Sequence, residues 1–184
     1  MRMTKKFKLQ LAVKDVDLYK WVTEMTPAEY ESFSKAHKAM GSYFEDGEFY
    51  MVNVENMGNE MIVQHYQLKE HTEEHLRFYS DRTEAYIWRW IPAIVGVPWE
   101  MKVTPIDNSS CEFSCTIGAD FPSRLLAFAA WINGFGGFFM RKHLADEGWK
   151  FARDIEKKFN NGRKPNSREG AAETVARQVW LTEK

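Results

Sequence analysis

Residues 97–122 read VPWEMKVTPIDNSSCEFSCTIGADFP, and apolar and polar residues alternate through them twice. Val97, Trp99, Met101 and Val103 point one way, and Glu100, Lys102 and Thr104 point the other. Asp107-Asn108-Ser109 supplies turn chemistry. Beyond it Cys111, Phe113, Cys115, Ile117 and Ala119 oppose Ser110, Glu112, Ser114 and Thr116. A period of two with one apolar face predicts half-buried strands. Two such strands joined by a short turn predict a curved antiparallel sheet buried on one side. The period then changes. Pro122 opens a helical stretch reaching about Phe159, whose later part, 138–159, reads FFMRKHLADEGWKFARDIEKKF. Met140, Leu144, Phe151, Ile155 and Phe159 form one stripe of it. Gly134, Gly136 and Gly137 interrupt the stretch and predict a kink.

Upstream, Phe7, Leu9, Leu11 and Val13 alternate with Lys6, Lys8 and Gln10 as a first strand. Asp15 or Asp17 can cap a short helix carrying Leu18, Trp21 and Val22. Thr26, Pro27 and Glu29 form the start signal of a second helix, a capping box with proline at the first helical position. Tyr30, Phe33, Ala36, His37 and Met40 continue at helical spacing to Gly41. Strands are then expected over 48–55, 60–68, 74–80 and 86–91, with a hairpin turn at 56–59. The segment 160–170, NNGRKPNSREG, reads as a polar linker before a short amphipathic tail. This gives one domain over 1–160 and a linker with tail over 161–184.

Composition narrows the class. The chain has 184 residues, 44% hydrophobic and 28% charged, enough for a core and too apolar for a disordered chain. Its net charge of -1 argues against a nucleic-acid partner, because phosphate contacts dominate that affinity. The longest apolar run, residues 125–132, is far short of the ~20 that cross a bilayer. No signal peptide is legible at MRMTKKFKLQLAV. Cys111 and Cys115 would lie about 13 Å apart on a strand, too far for a disulfide. Free thiols fit a reducing cytoplasm, the expected location. The unusual feature is the aromatic content: 13 Phe, 7 Tyr and 7 Trp, with 9 Met beside them. Such a surplus suits either a large core or the lining of a pocket for an apolar ligand.

The order of strand, two short helices, about six antiparallel strands and a long C-terminal helix resembles the helix-grip fold. That fold is shared by the START, Bet v 1-like and polyketide cyclase/dehydrase superfamily. The resemblance spans about residues 5–160 and rests on element order together with the two stretches quoted above. It implies an α+β fold in which about seven strands wrap a long C-terminal helix, and an apolar cavity between them. It also implies a small hydrophobic, aromatic or polyketide-like ligand. Tyr86, Trp88, Trp90, Trp99, Phe113, Trp131, Phe135 and Phe139 are then the expected ligand-binding residues.

Three functional readings stay open. In the first, acid/base cyclisation, dehydration or hydrolysis is carried by His65, Tyr66 and Arg77, with His65 as the acid/base group. In the second, His143 and Glu147, four apart on adjacent helical turns, share a metal ion. This HxxxE spacing is similar to the last-helix motif of the phloretin and diacetylphloroglucinol hydrolases. Those zinc enzymes of the same fold cut a carbon–carbon bond of an acyl-phenol. The resemblance implies a further His and Glu from the sheet, for which His65, His71, His75 and Glu84 are candidates. Glu100 alternates onto the polar face opposite Trp99. Against this, the helical stripe centres near Leu144, which puts Glu147 on its edge and His143 further out, a solvated flank. Zinc enters only with this reading; otherwise no cofactor is expected. The third reading is a non-catalytic lipid or ligand carrier, and a homodimer is among the partner options.

Overall fold

The computed structural model describes residues 1–57, 60–87, 90–125, 127–128 and 138–160. The chain runs β1 (Arg2–Leu9), a 3-10 turn (Val13–Asp15), α1 (Leu18–Thr23), α2 (Pro27–Phe33) and β2 (His37–Glu45). It continues with β3 (Glu48–Met57), β4 (Glu60–His71), β5 (His75–Ile87), β6 (Ile91–Pro105), β7 (Cys111–Gly118) and α3 (Phe138–Phe159). The seven strands form one sheet in the order β1-β7-β6-β5-β4-β3-β2, every neighbour antiparallel. This is the α+β helix-grip architecture, with two short helices after the first strand and the long helix last.

Local signals explain the short helices. The Asp17 carboxylate accepts from the Lys20 N–H at the start of α1. Thr26 and Glu29 satisfy each other's backbone N–H groups at the start of α2, a capping box formed as the residues predict. The second helix ends earlier than its periodicity suggests. α2 stops at Phe33, Ser34 is extended, and His37 opens β2. The reason lies ten residues on. Asp46 and Gly47 take φ of 52° and 84°, the double left-handed turn that closes a two-residue hairpin, so residues 37–45 pair with β3. Tertiary pairing overrides a helical spacing here. A second difference lies between 75 and 105. The strand expected over 74–80 runs on unbroken to Ile87 as β5, bent where the register shifts between Ser80 and Thr83, so it takes in only the start of the strand expected over 86–91; Trp90 is in a turn and Ile91 opens β6, which also takes in the strand expected over 97–105. Where a hairpin turn is expected at 56–59, β3 and β4 stay paired out to Met57 with Glu60, and residues 58–59 lie outside the described residues.

One face of the sheet is buried against α1, α2 and α3. Leu9, Met51, Phe78, Met101, Phe113 and Cys115 point into it and are inaccessible. Trp99 packs between Phe78 (5.2 Å) and Phe151 of α3 (5.9 Å). Phe151 also meets Trp21 and Phe33 edge-on at 5.1 and 5.0 Å. Helix α3 crosses β1 at Gly148, where a Cβ would stand only 2.5 Å from the Phe7 ring. The glycine allows that close approach. Cys111 and Cys115 are free and buried, and burial pushes the Cys111 thiol up to about 11 and the Cys115 thiol higher still. Among the described residues no helix is long and apolar enough to cross a membrane. The linker and tail over 161–184 lie outside the described residues.

Candidate metal centre

Three elements bring four ionisable side chains together. His37 is the first residue of β2, and its register partner on β3 is Glu55, so both side chains share the inner face. Helix α3 lays His143 and Glu147, one turn apart, over the same spot. Their ligating atoms all lie within 4.8 Å of one another, and all four residues are buried. His143, the most accessible, is 8% exposed. The expected solvated flank is therefore corrected: Glu147 fills the stripe between Leu144 and Phe151, and His143 turns inward beside it.

The distances have a pattern. His37 Nε2 lies 3.1 Å from Glu147 Oε1. His143 Nε2 lies 3.3 Å from Glu55 Oε2 and 3.4 Å from Glu147 Oε2. Yet His37 Nε2, His143 Nε2 and Glu55 Oε2 are buried without any hydrogen bond. They are close but not aimed at one another. Two donor atoms each ~2.0–2.1 Å from a shared tetrahedral ion stand about 3.4 Å apart. Two imidazole nitrogens and two carboxylates converging at that spacing, with both nitrogens and Glu55 Oε2 free of hydrogen bonds, match the donor set of a divalent metal such as zinc.

Outer contacts fix the ligands. His37 Nδ1–H donates to the Tyr30 carbonyl at 2.6 Å, which leaves Nε2 facing the centre. The Tyr30 ring stacks on His37 with centroids 3.9 Å apart, and its hydroxyl donates to Glu55 Oε1 at 2.5 Å. Ser34 Oγ lies 3.4 Å from His143 Nδ1. The turn from α2 into β2 thus supports three of the four groups. Without a metal the cluster is held by charge. Burial lowers the basicity of His143, but Glu147 and Glu55 outweigh it and raise its pKa to about 9. His37 moves the same way for the same reason. Burial would raise the Glu55 carboxyl, yet the two imidazoles hold it below its ordinary value.

The other expected site residues are spread out. Tyr66 is buried on the inner face, against Phe78 and Trp99. Its phenol is pushed well up by burial and by Glu55 and Glu147. His65 is exposed, one step out of phase, so its side chain is on the outer face. Arg77 is also on that face, paired with Glu70 at 2.7 Å. These three are not brought together. His71 stacks on Tyr19, His75 meets Glu100 at 2.8 Å, and Glu84 accepts from the Tyr86 hydroxyl. None of them reaches the cluster; the partners of His143 and Glu147 are His37 and Glu55. Trp99 and Phe113 are core residues, Tyr86 is half-buried opposite Met61 on the outer face, and Trp90 is 86% exposed. Trp88, Trp131 and Phe135, with the Phe139 side chain, lie outside the described residues. His37 was hidden by its helical spacing. Glu55 carried a readable signal, since it shares the phase of Phe49 and Met51, where an apolar residue belongs.

No protein-family model and no curated protein sequence matches the chain. Solved structures do match by shape. A START superfamily protein from Mycobacterium smegmatis aligns with a TM-score of 0.51 at 9% identity, over 86% of this chain and 97% of its own. The Zhui aromatase/cyclase from Streptomyces sp. R1128 aligns with a TM-score of 0.55 at 6% identity, over 87% and 93%. The ginseng major latex-like protein 151 from Panax ginseng gives a TM-score of 0.54 at 6% identity, over 84% and 97%. At these identities the likeness establishes the helix-grip fold.

Proposed function

We propose that the chain is a metal-dependent hydrolase, with zinc held by His37, Glu55, His143 and Glu147. The observation that carries this is the convergence of four buried ligating groups in which both imidazole Nε2 atoms and Glu55 Oε2 have no hydrogen bond. Leaving such groups unpaired is costly in a core of this size, and a divalent ion removes the cost. When bound, the ion supplies Lewis-acid polarisation of a carbonyl and lowers the pKa of water. The remaining roles fall to the chain. Tyr30 and Ser34 orient the ligands. Tyr66 stays protonated and is a hydrogen-bond donor for an oxygen that gains charge. The aromatic interior excludes bulk water.

The substrate class we propose is an acyl-phenol, which the HxxxE resemblance implies and an aromatic-rich interior suits. Water adds to the acyl carbon, the bond between that carbon and the ring breaks, and the ring carbon takes a proton. The products are a carboxylic acid and the deacylated phenol. An aromatase/cyclase of the same fold supports an aromatic occupant. Acid/base catalysis through His65 and Arg77 has no such support, because both side chains are on the outer face.

The test is metal content and turnover together. The purified full chain should hold one zinc by elemental analysis, and His143→Ala and Glu55→Gln should each lose it. The zinc-loaded chain should release a carboxylic acid from an acyl-phenol. Activity that survives complete removal of metal would sink the proposal.

A further inference from the structure

The outer face of the sheet is built differently at its two ends. Over β1 and β7 its side chains pair with one another: Lys6 meets Glu112 at 2.8 Å, and the Thr4 and Thr116 hydroxyls meet at 2.8 Å. Over β2 to β5 a largely aromatic row takes their place. Tyr43, Tyr50, Gln67 and Tyr79 are successive register partners across four strands. The Tyr43 and Tyr50 rings stack, with centroids 5.2 Å apart and planes at 11°. Tyr79 leans the other way, over Gly96, where a Cβ would overlap its hydroxyl. That hydroxyl reaches Asp120 Oδ2 at 3.5 Å, which anchors the ring. Tyr50 and Tyr79 thus start two strand spacings apart, about 9.6 Å, and diverge. The cleft they bound has a volume of about 260 Å³, and Val52, His65, Gln67, Lys69 and Asp81 line it.

An irregularity of β5 supplies one of those residues. Residues 81–82 face the single residue Gly96 of β6, a β-bulge. Both Asp81 and Arg82 are exposed, where strict alternation would turn one of them inward. Arg82 approaches Glu84 at 3.9 Å. Asp81 makes no hydrogen bond or ion pair among the described residues, and it lines the cleft. Lys69 Nζ donates to Gln67 Oε1, which leaves the Gln67 NH2 and the other ammonium protons as donors.

We infer that this outer-face cleft is a saccharide-binding site, in which one pyranose ring packs on the Tyr50 side of the row and its hydroxyls bond to Asp81, Gln67 and Lys69. A pyranose carries a face of C–H bonds, which an aromatic ring covers well. Each of its hydroxyls donates once and accepts twice. The cleft answers both needs: Asp81 accepts, while Gln67 and Lys69 donate. One carboxylate and one ammonium cancel, so the lining selects a neutral polyol over an ion of either sign. The volume lies just below the ~300–1,000 Å³ of pockets for larger ligands, which suits a single ring. The site is on the opposite face of the sheet from the metal centre and does not depend on the hydrolase reading.

The experiment is saturation-transfer NMR on the purified full chain. The probes are the methyl β-glucoside, methyl β-galactoside and methyl α-mannoside, with cyclohexanol as an apolar control. At least one glycoside should bind with a Kd of about 1 mM or tighter, and cyclohexanol should not displace it. Transfer should be strongest at the ring C–H protons. Tyr50→Ala should weaken binding by about tenfold or more, while Tyr50→Phe, which keeps the ring face, should retain most of it. Asp81→Ala removes an exposed, unpaired carboxylate, so it should leave the melting temperature unchanged and still weaken binding about tenfold. Treatment with a chelator should change none of this. The inference is overturned if none of the three glycosides shows transfer, if Asp81→Ala binds like wild type, or if cyclohexanol competes equally. Binding that disappears with the metal would overturn it as well, by placing the sugar on the inner face.

Discussion

Helix α3 meets the inner face of the sheet at two places built from different materials. At Phe151 the contact is aromatic and closed: Trp21, Phe33 and Trp99 surround the ring at 5.0–5.9 Å. One turn earlier, at Glu147 and His143, it is polar and incomplete, with three unpaired atoms in the cluster and two unpaired amide oxygens close by. The same helix and sheet therefore hold a well-packed end and an end whose buried polar atoms are only partly hydrogen-bonded. The first fixes the helix so that the second can stay unsatisfied without collapsing. Stability and chemistry are separated by about 6 Å along one helix.

That separation can be broken from either side. Phe151→Ala should cost about 3–5 kcal/mol of unfolding free energy in denaturant titration, with zinc stoichiometry unchanged in the folded protein. An equal loss of zinc would show that the two ends are not independent.

Next in size is pH. The folded pKa of His143, about 9, is raised above the ordinary imidazole value, and His37 shifts in the same direction. The His143 contribution to the metal-free protein is fully present below about 6.5 and is lost as pH rises through about 9, and that of His37 is lost in the same direction. Glu55, held low, adds stability above its ordinary value that is lost in acid. Chelator-treated protein should lose on the order of 2 kcal/mol between pH 6.5 and 9 in thermal or denaturant unfolding. Zinc should stabilise progressively more over the same interval, because it displaces the protons. A flat profile in chelator would contradict the charge balance described for the cluster.

Tyr30→Phe removes one hydroxyl and keeps the stacked ring. Zinc affinity, read by competition with a chromophoric chelator, should fall about 10- to 100-fold. The smallest effect is expected on the outer face. His65→Ala and Arg77→Ala should change stability by no more than about 0.5 kcal/mol and leave turnover intact. A large loss of turnover in either would return the chemistry to that face.

The sheet was legible because strands β6 and β7 repeat the period of two over long runs with one buried side. The short helices were legible through their caps. The number of strands after the helices was reached by a different partition: β2 was hidden inside a helical spacing, and the bend in β5 looked like a boundary. The same misreading concealed half of the candidate site. His37 cannot be a cross-strand partner of Glu55 while it is taken as helical, and no spacing rule links residues on three separate elements. His143 and Glu147 were visible as a pair. Their burial was not, because a carboxylate and an imidazole dilute the stripe that locates a helix's inner face. Polar residues in an apolar phase, as at Asn53, Glu55 and Gln64, were the one signal available, and they cluster where the structure leaves atoms unpaired.

Gly148 adds a constraint of tolerance. It follows Glu147 directly and lets α3 rest against the Phe7 ring. Metal ligands must reach their ion within about 0.2 Å. The depth at which the helix is seated sets whether Glu147 arrives at that distance, and the seat is a residue without a side chain. A methyl group there would lift the helix from β1 or displace the phenyl ring, and under the proposed metal site Gly148→Ala should weaken zinc binding. Strand β1, at the opposite edge of the sheet from His37, thereby acts as the gauge against which the proposed metal centre would be set.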